Sequence, residues 1–105
     1  MASYLLAYHG GKMPDSKEAQ ARVMAAWNEW MRALGAALID GGNPVGKTST
    51  IGSNGKVTSG GGANPVSGYS VIKAASLDDA VKLAQGCPVL QGGATIEVCE
   101  TFEAM

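Results

Sequence analysis

An α+β fold, one antiparallel sheet covered on one side by two helices, is predicted by three features of this 105-residue sequence. Residues 68–100 read as strand, capped helix and strand, and residues 3–40 read the same way. Between them, residues 41–67 are rich in Gly, Ser, Thr, Asn and Pro, as an excursion from the core should be.

Residues 3–9 are a short apolar run bounded by Gly10-Gly11, which suits a central strand with Tyr4, Leu6 and Tyr8 on one face and Leu5, Ala7 and His9 on the other. Pro14 and Asp15 then open a helix. Glu18 is spaced to return a capping hydrogen bond, and Val23, Trp27, Trp30, Met31 and Leu34 form an apolar side that ends at Gly35. Residues 36–40 make a second strand. In the excursion, Asn54-Gly55 between β-compatible runs predicts a hairpin with a two-residue turn. Gly41-Gly-Asn-Pro-Val-Gly46 is nearly repeated as Gly62-Ala-Asn-Pro-Val-Ser-Gly68, and two such Asn-Pro turns suit the base of that arm, where the chain leaves and rejoins the sheet. Residues 69–74 alternate as a half-buried strand. Ser76 and Asp79 form a capping box, Leu77, Ala80, Val81 and Ala84 line one side of the second helix, and Gly86 before Cys87-Pro88 stops it. Residues 94–99 are β-branched enough for a last strand.

Right-handed crossovers over each helix set the first and second strands parallel, with the third between them and the fourth outside the first. That order is the ferredoxin-like split βαβ arrangement. Both helices then cover one face of the sheet. The other face, carrying Leu5 and Ala7, is too apolar for water, so a sheet-to-sheet homodimer, a dimeric α+β barrel, is expected.

A hydrophobic fraction of 46% over 105 residues supports one core and a single domain, residues 1–105. With 8 Lys and Arg against 9 Asp and Glu there is too little basic charge to neutralise a run of phosphates, and no nucleic-acid partner is expected. No stretch approaches the roughly 20 apolar residues of a membrane helix, and no basic segment precedes an apolar run at the N-terminus. The chain therefore reads as soluble and cytoplasmic, without a membrane partner. Cys87 and Cys99 lack the spacing of a metal site and read as free thiols, so neither metal nor cofactor is expected. Gly41-Gly-Asn-Pro-Val-Gly46-Lys47-Thr48 fits the phosphate-loop pattern G-x-x-x-x-G-K-[ST], yet the residues after Lys47 favour strand over the helix whose amides must cradle phosphate. It reads as a chance match in a glycine-rich turn.

Parallel first and second strands place their C-terminal ends, His9 and Asp40, at one edge of the sheet, where Gly68-Tyr69 begins the third strand. Imidazole is the side chain whose ordinary protonation lies nearest neutrality, and a carboxylate on its second nitrogen would fix its tautomer. His9, Asp40 and Tyr69 are thus the candidate catalytic residues, with Tyr8, Trp27 and Trp30 as an aromatic surface for substrate. The bland alternative has His9 hydrogen-bonding the following Gly-Gly loop, Asp40 initiating the Gly41-Gly42 turn, and both tryptophans in the core or a dimer seam.

The motifs Tyr8-His-Gly-Gly11, Trp27-Asn-Glu-Trp30, Gly42-Asn-Pro-Val-Gly46, Gly68-Tyr69, Ser76-Leu-Asp-Asp-Ala80 and Cys87-Pro88 together resemble the YCII-related domain family across nearly every element. The resemblance implies a dimeric α+β barrel assembly related in shape to muconolactone isomerase, in a family most of whose members have no assigned reaction and a few of which act on chlorinated hydroxyquinols as dehydrochlorinases. Some members carry a His in the first helix paired with an Asp. Here that helix holds no His, and Gly61-Gly-Ala-Asn-Pro-Val-Ser67 replaces the family's Asp-Gly-Pro-Phe motif, so the dyad is relocated to His9 with Asp40. Two function classes stand: a small cofactor-independent enzyme using His acid/base chemistry on a compact, aromatic substrate, and a non-catalytic small-molecule-binding or accessory domain.

Overall fold

The computed structural model describes residues 1–104. In chain order the elements are β1 (Ala2–His9), α1 (Lys17–Leu34), β2 (Leu38–Asp40), β3 (Ser49–Ile51), β4 (Val57–Ser59), β5 (Val66–Ala74), α2 (Leu77–Ala84) and β6 (Thr95–Glu100). The main sheet has the order β2-β5-β1-β6 with every neighbouring pair antiparallel, the ferredoxin-like order expected from the sequence, while β3 and β4 form a separate hairpin.

Strand alternation sets the layers. On β1, Tyr4, Leu6 and Tyr8 are buried under the helices and Leu5 and Ala7 are half-buried on the opposite face. Ser70, Ile72 and Ala74 of β5 join the same core, which Ala80 and Ala84 of α2 and Trp30 and Leu34 of α1 close from above. Small residues on α2 let its backbone approach the sheet, and burying the apolar side chains contributes most of the stabilisation.

Helix signals in the sequence are realised with one shift. α2 is capped by Ser76, whose hydroxyl accepts from Asp79 N at 3.1 Å. α1 starts two residues later than Pro14 and Asp15 suggest, because Ser16 is the cap and accepts from Ala19 N. The Pro14 carbonyl instead takes a hydrogen bond from the Gln20 side chain. The second strand is also shorter than expected, since residues Gly35–Ala37 close a 3₁₀ turn before it.

The arm is a hairpin, but its turn has three residues, not two. Gly52 N donates to Lys56 O and Gly55 N to Gly52 O, enclosing Ser53, Asn54 and Gly55; only Gly55 takes a positive φ, 84°, so Asn54 need not. At its base the two Asn-Pro segments flank the sheet edge. Val45 N donates to Ser67 O and Tyr69 N to Asn43 O, with Pro44 bridged to Gly68. After Lys47 the chain enters β3 and no helix, so the phosphate-loop pattern lacks the amides it would need.

Gly42 is where this base is tightest. It has φ of 74°, and a Cβ there would overlap the Tyr69 carbonyl oxygen. Gly46, four residues on, has nothing within 4 Å of the same position. Gly42→Ala is expected to destabilise by at least ~2 kcal/mol in urea titration, well beyond the effect of Gly46→Ala.

Candidate functional site

Helix α1 is pinned at one end. Only Trp30 and Leu34, both in its C-terminal half, are buried, and the Trp30 indole N–H donates to the Leu83 carbonyl at 3.0 Å. Its earlier turns stand off the sheet. Beneath them lies a cavity of about 850 Å³ at the edge where β1 ends and β5 begins. Tyr8, Val23, Trp27 and Met31 form its inner walls, and residues 42–44, 67–69, 88, 89, 91 and 92 also border it. The rings are ordered edge to face, Tyr8 to Trp27 at 5.8 Å between centroids and Trp27 to Trp30 at 5.6 Å.

Tyr8 is held by a buried chain of hydrogen bonds. Its phenol donates to Ser70 Oγ at 2.7 Å, Ser70 donates to the Gly41 carbonyl at 2.8 Å, and the Cys87 thiol donates to the phenol oxygen at 3.7 Å. Every donor in the chain has an acceptor, and the direction of each proton follows from the last acceptor being a carbonyl. Burial pushes the Tyr8 phenol well above its ordinary pKa, outweighing the Ser70 hydrogen bond that lowers it, and burial likewise raises the Cys87 thiol. Both groups stay protonated at neutral pH and act as scaffold.

His9 follows Tyr8 and so faces the opposite side of the sheet. It is 7% exposed and does not line the cavity. Nδ1 lies 3.0 Å from the Asn64 carbonyl and 3.2 Å from that of Pro65. Carbonyl oxygens only accept, so Nδ1 carries a proton and any proton exchange occurs at Nε2. Nε2 sits 2.6 Å from Glu97 Oε1 but is buried, and with the carboxylate off the ring N–H direction the contact is no regular hydrogen bond. The ring is thus oriented by one loop and faced by one carboxylate.

The carboxylate expected there was Asp40, and the structure does not bring the two together. Asp40 stands opposite Val71 on β5, level with Leu5, whereas His9 stands opposite Val66, about 13 Å further along the sheet. Asp40 Oδ1 accepts from Gly42 N at 2.8 Å and shapes the turn. The reason is register: β2 bulges at Ile39 and the chain continues along β5 to Pro44, so Pro44, not Asp40, reaches the end of the sheet. Tyr69 is among the residues bordering the cavity, with Tyr8 and Trp27 inside it, although its register opposite Ala7 puts it on the other face of the sheet from Tyr8 and Ser70. Trp30, expected on a substrate surface, instead fills the core at 7% exposure.

Sequence reasoning missed Glu97, Asn64 and Pro65 around His9, and Ser70 and Cys87 around Tyr8. Glu97 sat in a recognised strand and its register with Ala7 is tertiary information. The only available signal for Asn64-Pro65 was its kinship with Asn43-Pro44, which pointed to the sheet edge but not to His9.

No family model matches the chain, and no curated protein matches it. Among solved structures, 5-chloro-2-hydroxyhydroquinone dehydrochlorinase from Burkholderia phenoliruptrix, in complex with 2,5-dihydroxybenzoquinone, is similar with a TM-score of 0.55 and 18% identity, covering 96% of this chain and 93% of that one. The likeness supports the small α+β, ferredoxin-like arrangement over 96% of the chain. No helix among the described residues is long and apolar enough to cross a membrane.

The His9 geometry makes a spectroscopic prediction. Its ¹⁵N shifts should report Nδ1 as protonated, Glu97→Gln should move the Nε2 resonance, and Asp40→Asn should leave both nitrogens where they were. A response to Asp40→Asn alone would contradict the register described here.

Proposed function

We propose that the protein binds a compact, planar, aromatic small molecule in the cavity under α1. The observation that carries this is the cavity itself: about 850 Å³, within the roughly 300–1,000 Å³ usual for small-molecule sites, and walled by Tyr8 and Trp27 at fixed angles. Aromatic walls held by packing and by the Ser70 hydrogen bond lose little entropy on receiving a flat ligand. The similar dehydrochlorinase holds a single-ring quinone, a ligand of the same kind.

A second reading, acid/base catalysis by His9, is favoured by the 2.6 Å approach of Glu97 and the two carbonyls that orient the ring. It places the substrate on the open face of the sheet, because the sheet lies between His9 and the cavity. The two readings separate by where a ligand acts. Titration with dihydroxybenzoquinone should shift NMR signals of Tyr8, Trp27 and Met31 while leaving Glu97 and Cys99 unmoved; shifts confined to His9, Glu97 and Thr95 would transfer the site to the open face.

A second copy of the chain is the proposed cover for that face. The molecule measures 43 × 41 × 18 Å, one helix layer on one sheet, and its radius of gyration of 15.1 Å exceeds the roughly 13 Å of a compact chain this long. Leu5, Ala7, Val71 and Cys99 make a half-buried strip across β5, β1 and β6, and Ile39 extends it at 49% exposure. Antiparallel sheet faces of this kind pack on themselves about a two-fold axis. Sedimentation should give a dimer at micromolar concentration, converted to folded monomer by Val71→Lys; a monomeric parent protein would refute the arrangement.

A further inference from the structure

We infer that the cavity under α1 is built for an aromatic anion, its ring inside and its anionic group at the mouth beside Lys12 and Arg22; this rests on the cavity being the ligand site. The charges bordering the cavity are all of one sign. Lys12 and Arg22 line it, and no Asp or Glu does. Both cations belong to exposed residues, whereas Tyr8 is buried and Val23, Trp27 and Met31 are half-buried, so charge lies at the mouth and apolar surface lies within.

Among the described residues neither cationic side chain makes an ion pair or a hydrogen bond. The ion pairs among the described residues are His9 with Glu97 and Arg32 with Glu29, and Glu18, one turn before Arg22 on α1, makes none with it. The chain as a whole carries a formal charge of -1, so a cationic mouth does not merely reflect a basic protein. The two elements that bear the cations are independent: Lys12 sits on the loop leaving β1, held by its N–H to the Gly92 carbonyl at 3.0 Å, and Arg22 sits on the second turn of α1.

Chemistry then selects the ligand. A guanidinium presents a planar fork that matches a carboxylate through two parallel hydrogen bonds, and an ammonium on a flexible stem adds a second donor without demanding a fixed angle. A cationic ligand would meet two like charges and no counter-charge. A neutral ring would use the aromatic walls alone.

The test compares naphthoate with its neutral isostere naphthamide, each titrated against the full-length protein and followed by Trp fluorescence and by NMR shifts of Tyr8 and Trp27. Naphthoate should bind at least about fivefold more tightly at low salt, and added salt should narrow the gap. In the Lys12→Gln, Arg22→Gln double variant the preference should disappear through loss of naphthoate affinity, while the melting temperature stays unchanged, both side chains being exposed. Equal affinity for the two probes, or a preference that survives in the double variant, overturns the anion assignment and leaves the cavity as a ligand site. Binding of neither probe overturns both.

Discussion

The phenol of Tyr8 is the constraint on which the rest of this structure turns. A hydroxyl buried at the end of the central strand without a partner would cost about 1–3 kcal/mol, and its partners come from three other parts of the chain: Ser70 on β5, Gly41 beyond it through Ser70, and Cys87 after α2. Satisfying one group therefore pins the start of the excursion, the middle strand pair and the end of the second helix to a common point. The same ring meets Trp27 edge to face, so the scaffold that answers the hydroxyl also sets one wall of the cavity.

The cavity exists because α1 is fastened unevenly. Trp30 and Leu34 sink into the core and the Trp30 N–H is committed to Leu83, while the preceding turns carry Val23 and Trp27 over a gap that no large side chain of the sheet fills. Strand geometry then divides the chemistry. Consecutive side chains point to opposite faces, so Tyr8 belongs to the cavity and His9 to the open surface, and a single backbone step separates an aromatic wall from an imidazole with its carboxylate. One edge of the sheet thus carries two chemically distinct places, an apolar cavity with a cationic mouth and a polar pair on the bare face.

Much of the fold was legible because it is written in short-range terms. The alternation of Tyr4, Leu6 and Tyr8, the Ser76 cap and the stop at Gly35 each depend on residues within a few positions of one another. The strand order followed from the two strand–helix–strand units taken as interleaved crossovers. The site was legible only as a location. The edge where β1 ends and β5 begins does hold the cavity, and Tyr8, Trp27 and Tyr69 do border it, but the partner of His9 depended on a bulge at Ile39 and on which residue of β6 lies beside Ala7. A slip of one residue exchanges the two faces of a strand, and no local signal specifies it.

By itself the sequence determined the element types, their order in the sheet, the split between core-facing and open faces of β1, and the exclusion of a phosphate loop, because hydrophobic period, caps, β-branching and crossover handedness all act over neighbouring residues or along a single connection. Tertiary structure alone decided that His9 meets Glu97 and not Asp40, that Trp30 is core while Trp27 is wall, and that Lys12 and Arg22 border the same cavity. Those outcomes depend on register, helix tilt and loop closure. They are fixed by long-range packing, which sums many weak contacts between residues far apart in the chain.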